Sequence, residues 1–189
     1  MKISLDSKCA AQLAELARQN LERFPEEQIR LAGAKIQIAG KKMTSWCSND
    51  YLGLSRHPYC LSAATELQKE AAGSSGARLL SGSHPVHHQI ETLVGDLYDR
   101  EALLFGSGYL ANVGTIPAIS GPGNVIFSHR RNHASIVDGC RLSGADLVLF
   151  DDVEQLELLL QENRARLSET GGHGVNLLIT ESVFSIDGD

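Results

Sequence analysis

The second half of the chain is what most constrains its fold. Between residues 102 and 180, four short apolar runs alternate with three longer helical stretches. Ala102–Phe105, Val125–Phe127, Leu147–Phe150 and Leu177–Thr180 read as strands. Gly108–Ile119, His133–Leu142 and Val153–Leu167 read as the helices between them. Parallel strands need a crossover of a dozen or more residues to bring the chain back to the same edge, and a helix is the usual crossover. The alternation therefore predicts an α/β fold, a mainly parallel sheet with helices packed on its faces. The crossovers should be right-handed.

The first hundred residues are less regular. Leu13, Leu16, Ala17 and Leu21 fall at helical spacing, which predicts a helix over about 7–23, ended by Phe24-Pro25. Lys35–Ile38 and Met43–Trp46 flank Gly40-Lys41 and read as a β-hairpin. Helices are expected over about 58–72, with Pro58 in the first turn, and over about 85–99. The expected organisation is an N-terminal helix and hairpin over 1–47, then part of a large domain over 48–189. A strand and a turn are the last elements before Asp189, so the sheet is expected to be only partly contained in this sequence.

Composition removes several function classes. The net charge of −6 gives no electrostatic footing for nucleic acid or an anionic membrane. No apolar run approaches the roughly 18–20 residues that span a bilayer. The first twenty residues read as an amphipathic helix, not a signal peptide. Cys9, Cys47, Cys60 and Cys140 form no CxxC pair, which suits free thiols in a reducing cytosol. A cytoplasmic location is expected.

Several stretches could carry chemistry. In Phe105-Gly106-Ser107-Gly108-Tyr109, a strand runs through a glycine turn into a helix. The first N–H groups of a helix lack intrahelical partners and sit at the positive end of its dipole, so an anion can bind there. The same pattern also serves as a plain strand–helix turn, and the three-glycine dinucleotide spacing is absent. Ser128–Ser135 follows a strand and so lies at the carboxyl edge of the sheet, where open α/β sheets place ligands. His133 there could stack on a planar group, act as acid or base, or only cap a helix. Thr180–Asp189 also follows a strand and offers Glu181 and Ser185, although Asp187-Gly188 reads equally as a turn. His84, His87 and His88 lack the cysteine or carboxylate that would complete a metal set, so no metal is expected.

In this order the stretches resemble the α-oxoamine synthase family. The residues that carry the resemblance are Ser48–Leu54, Gly76–Gly82 with His87 and Glu91, Ser107–Asn112, Asn132–Ser135 and Glu181–Asp189. The resemblance runs from about residue 8 to 189 and covers about the first half of a family member. It implies a fold-type I transferase that uses pyridoxal 5'-phosphate (PLP). It also implies a reaction in which an amino acid condenses with an acyl-CoA or acyl-carrier-protein thioester and CO₂ is lost. Carried over by motif, Ser107, Gly108 and Tyr109 lie at the cofactor's phosphate, and His133 stacks on its ring. Ser185 lies near the ring hydroxyl, Glu181 is a supporting carboxylate, and Asn49 lies close to the substrate. A homodimer is implied as well.

Two departures stand beside this. The arginine that the family carries in the first helix region has no clear match: Arg18 and Arg23 lie near, and Leu21-Glu22 occupies the register. All six lysines (Lys2, Lys8, Lys35, Lys41, Lys42 and Lys69) precede the sheet. By the resemblance, the Schiff-base lysine and the aspartate that pairs with the pyridine nitrogen come later than residue 189. The 189 residues alone are therefore expected to be inactive, to bind PLP weakly or not at all, and to associate through exposed apolar surface. A catalytically silent remnant and one half of a split enzyme are the other expectations the sequence leaves open.

Overall fold

The computed structural model describes residues 4–31, 33–70, 72–170 and 174–188. The chain divides between Ser75 and Gly76 into two compact units.

The first unit begins with helix α1, Leu5–Arg18, capped by Ser4, whose hydroxyl accepts from Ser7 N. The helix stops five residues before the expected end. Asn20 adopts a left-handed conformation (φ 54°), Asn20 N bonds Ala17 O, and Leu21 N bonds Leu16 O. That pair of bonds is a Schellman closure with asparagine at the left-handed position. Strands β1 (Gln28–Arg30), β2 (Lys35–Ile38) and β3 (Lys41–Thr44) form an antiparallel sheet in that order. The β2–β3 hairpin turns on Ala39 and Gly40, both at positive φ, one residue earlier than the sequence suggested. The third strand, β1, was not foreseen. A short 3-10 turn at Leu54–Arg56 leads into α2, Pro58–Gln68.

The second unit carries α3 (Pro85–Tyr98), α4 (Gly108–Ile119), β4 (Val125–His129), α5 (Ala134–Ser143), β5 (Asp146–Phe150), α6 (Val153–Thr170) and β6 (Asn176–Ile179). Its sheet is parallel with order β5-β4-β6, as the strand–helix alternation requires. Every residue of β4 is buried, because this central strand is covered on both faces. Alternation along the strand divides the core. Ile126 packs with Ile116, Ile136 and Cys140 under α4 and α5, whereas Val125 and Phe127 pack with Phe150 and the α6 leucines 156, 159 and 160. Burying each of these large side chains stabilises by about 1.5–3 kcal/mol.

The expected strand at Ala102–Phe105 does not form. At Leu104 the groups that a ladder would use are taken by side chains: Leu104 N donates to Glu91 Oε1 (2.7 Å), and Leu104 O accepts from Arg78 Nη1 (3.1 Å). Arg78 and Glu91 themselves form a two-pronged pair at 2.5 and 2.9 Å. The Arg78 guanidinium, and then the Leu104 N–H, hold the Glu91 carboxyl at about 2, against an ordinary 4.5. A carboxylate depressed in the folded state contributes stability that is fully present above about pH 4.5 and is lost as the pH falls through about 2. Glu91→Gln should therefore have a lower urea midpoint than the parent at neutral pH, with the gap closing between pH 4.5 and 2. A gap that stayed constant over that window would contradict the ion pair's role.

Candidate active site

The carboxyl ends of β4 and β6 and the first turns of α4 and α5 meet in the second unit. Asn132, buried in the loop after β4, donates through Nδ2 to Ser128 Oγ (2.9 Å) and to the carbonyl of Ile179 at the end of β6 (2.8 Å). This fixes the spacing of the two strand ends. One residue on, the His133 N–H donates to the Glu181 carboxylate. Two candidates that lie 48 residues apart in sequence are thus joined directly.

His133 is also the N-cap of α5, since its Nδ1 accepts from Ser135 N (3.1 Å). Of the readings the sequence leaves open for His133, capping is the one these bonds show. Its exposed ring meets the Tyr109 ring edge-on, with centroids 6.3 Å apart. Tyr109 stands in the first turn of α4, and its hydroxyl donates to Asp138 on α5. That bond, and then burial, push the Tyr109 pKa above its usual value, so the phenol stays neutral. Ser107 caps α4, its Oγ accepting from Leu110 N at 3.2 Å, and Gly108 is the first helical residue. The close fit of α4 against α5 holds the start of α4 in place. A Cβ on Gly139 would lie 2.9 Å from the Asn112 carbonyl oxygen, so only glycine lets the two helices approach this closely.

Ser185 is exposed in the turn after β6 and is held at this edge through its neighbours. The Phe184 ring stacks on His129 (4.4 Å between centroids) and lies under the Arg131 guanidinium (4.6 Å). Arg131 pairs with Asp187 at 2.9 Å. His129 in turn is fixed, its Nδ1 accepting from Arg131 N and its Nε2 donating to the Asp151 carbonyl. Asn49 lies in the first unit and is exposed. Beside it, Asp50 accepts from Ser55 and pairs with Arg30 (3.3 Å), and the Ser55 hydroxyl is the main reason its carboxyl is depressed.

The three histidines near residue 85 serve the start of α3. His84 Nδ1 accepts from Val86 N, His87 Nδ1 accepts from His84 N, and His88 contacts Ser83 and Glu91. No metal-ligand cluster occurs among the described residues. Sequence reasoning assigned no role to Asn112, Asn132, Ser135 or Asp138. Ser135 falls within the Asn132–Ser135 stretch that carries the resemblance, and its two-residue spacing from His133 at a helix start is a second signal.

With this geometry in hand, the chain belongs to the aminotransferase class I and II family, whose profile matches residues 41–189. Within that family the similarity falls on two groups. The chain is 42% identical over 184 residues to 8-amino-7-oxononanoate synthase of Geobacter sulfurreducens, covering 95% of this chain and 45% of that protein. It is 40% identical over 181 residues to a putative 8-amino-7-oxononanoate synthase of Thermodesulfovibrio yellowstonii, covering 94% and 45%. Among solved structures, the K265A serine palmitoyltransferase of S. paucimobilis, with a bound PLP–myriocin adduct, superposes with a TM-score of 0.81 at 29% identity, over 99% of this chain and 48% of that one. The chain thus spans about half the length of the relatives it matches. These similarities bear out the resemblance to α-oxoamine synthases and the α/β fold expected from the sequence. No helix among the described residues is long and apolar enough to cross a membrane.

Proposed function

We propose that these residues form the cofactor-facing part of a PLP-dependent 8-amino-7-oxononanoate synthase. The whole protein would join L-alanine to a pimeloyl thioester, pimeloyl-CoA or pimeloyl carrier protein, with loss of CO₂, as a step of biotin synthesis in the cytosol. The observation that carries the reading is the convergence of Tyr109, His133 and Glu181, from three separate elements, on one sheet edge. A homodimer follows from the family resemblance.

The donor set fits a phosphorylated planar group. A Cβ on Gly108 would meet nothing within 4 Å, so the space before the first turn of α4 is open to an anion. The N–H groups of Gly108 and Tyr109 lie outside the intrahelical ladder and supply donors at the positive end of the dipole. Ser107 Oγ accepts from Leu110 N and keeps its proton to donate. Because the Tyr109 phenol donates to Asp138 and stays neutral, it brings no negative charge beside the phosphate. The exposed His133 ring offers a face for stacking. Glu181 fixes the loop that carries His133. Ser185 supplies a hydroxyl for the ring's own hydroxyl, and for Asn49, in the first unit, a substrate role rests on the resemblance alone. When bound, PLP supplies the electron sink for the negative charge that develops on the amino acid's α-carbon.

The likeness to serine palmitoyltransferase supports a second reading, another α-oxoamine synthase with a different amino acid and acyl group. Glycine C-acetyltransferase and 5-aminolevulinate synthase chemistries belong to the same alternative. To decide, these 189 residues would be joined to the C-terminal half of the Geobacter relative, and CoA release followed with each substrate pair. Release that depends on L-alanine and pimeloyl-CoA is the expected result. Release only with serine and palmitoyl-CoA, or only with glycine and acetyl-CoA, would overturn the biotin assignment and keep the family.

A further inference from the structure

His133 is held from behind by a chain of hydrogen bonds that runs from α4 to α5. Asn112 Nδ2 donates to Ser135 Oγ at 2.9 Å, and Ser135 Oγ lies 2.7 Å from His133 Nδ1. The direction of this chain follows from its donors. The Asn112 amide nitrogen can only donate, so it occupies an acceptor position on Ser135 Oγ and leaves the hydroxyl proton to point at the imidazole. The backbone N–H of Ser135 can also only donate, and it too is aimed at Nδ1 (3.1 Å). With two donors directed at Nδ1, the neutral ring must carry its proton on Nε2.

We propose that Ser135, oriented by Asn112, is a positioning residue that fixes His133 in the Nε2–H tautomer and locks the plane of its ring. Ser135 is 1% exposed, so the hydroxyl acts from within the core and has no route to a ligand of its own. Its effect reaches the site only through the imidazole, which is exposed on the far side. A ring fixed in this way presents a donor, Nε2–H, towards the site edge. What that donor meets rests on the PLP reading above, but the tautomer does not. Gly139 is part of the same device, because it lets α4 come close enough for Asn112 to reach Ser135.

Nitrogen-15 NMR of the imidazoles tests this without cofactor or turnover. The full 189-residue chain would be labelled at histidine and studied by magic-angle spinning, which molecular size and association do not limit. The His133 signal is identified by its loss in His133→Gln. At a pH where the ring is neutral, the parent should show protonated Nε2 and bare Nδ1. Asn112→Asp keeps the side chain's size but turns the donor into an acceptor. The Ser135 hydroxyl should then swing to the carboxylate, and the Nδ1–H form should become populated. Asn112→Ala, which frees the hydroxyl without adding charge, should give a smaller change in the same direction. A parent spectrum with Nδ1 protonated would overturn the proposal whatever the variants do. A parent of the expected form whose signal is unmoved in both variants would overturn the role of Asn112 and Ser135. Either result can be read even if the chain proves to bind no PLP, so failure here is distinct from failure of the proposed function.

Discussion

Gly139→Val should lower the stability of the second unit by about 1–3 kcal/mol or more. The first methyl group would stand 2.9 Å from the Asn112 carbonyl oxygen and 2.9 Å from Ile116 Cδ1. The isoleucine tip can rotate away, but the carbonyl belongs to the backbone of α4 and can move only with the helix. Gly139→Ala is the informative control. Alanine gains close to 1 kcal/mol of helix propensity over glycine, which offsets part of the overpacking. Valine brings more bulk and a poorer propensity, so its loss is not offset. Urea midpoints should therefore fall in the order parent, alanine, valine, although alanine can come close to the parent. A valine variant as stable as the parent would mean that the two helices tolerate separation. The same separation would lengthen the 2.9 Å bond between Asn112 and Ser135.

Asn132→Leu should be comparably damaging for a different reason. The branched skeleton is kept but two methyl groups replace the amide oxygen and nitrogen, so some overpacking adds to the cost of the stranded acceptors. Ile179 O, at the half-buried end of β6, loses its 2.8 Å donor, and Ser128 Oγ, on the buried central strand, loses its 2.9 Å donor. Each acceptor left without a partner costs about 1–3 kcal/mol. Asn132→Asp is a poorer test, since it adds charge as well as removing a donor. The leucine variant should also loosen the bond from His133 N to Glu181, because the two bonds share one loop. Hydrogen exchange at the His133 amide reads that second effect: it should speed up well beyond the change in global stability. Unchanged exchange would place Asn132 outside the support of the site.

The sheet of the second unit was readable because its strands are short, apolar and separated by helices of 10 and 18 residues, each long enough for a parallel crossover. Val125–Phe127 reads as a strand, and the structure extends it to His129 and places it at the centre of the sheet. Where the sequence misled, a side chain had taken over a backbone role. Ala102–Phe105 has the composition of a strand, but Arg78 and Glu91 satisfy Leu104 in place of a neighbouring ladder. The first helix ends at Arg18 because Asn20 turns left-handed, before the Phe24-Pro25 stop that the sequence suggested. Of the residues that motif order singled out, His133, Glu181 and Tyr109 lie together in the structure. Asn112 and Ser135 fall inside the stretches that carry the resemblance, but their contact with each other, like that of Asp138 with Tyr109, crosses the seam between two helices and depends on a packing distance that the stretches do not encode.

The strand order also dictates when the site can exist. The link from Arg130 to Asp151, at the ends of β4 and β5, closes a separation of 21 residues. The links that define the candidate site, Asn132 to Ile179 and His133 to Glu181, close separations of 47 and 48. Longer closures carry a larger entropic cost and come later in assembly. A chain emerging from the ribosome can pair β4 with β5 and lay α5 across them while the residues of β6 are still to be made. The links between His133 and Glu181 and between Asn132 and Ile179 are thus the last of these contacts to appear during synthesis, and a nascent chain stalled before residue 179 can pair β4 with β5 without bringing the candidate residues together.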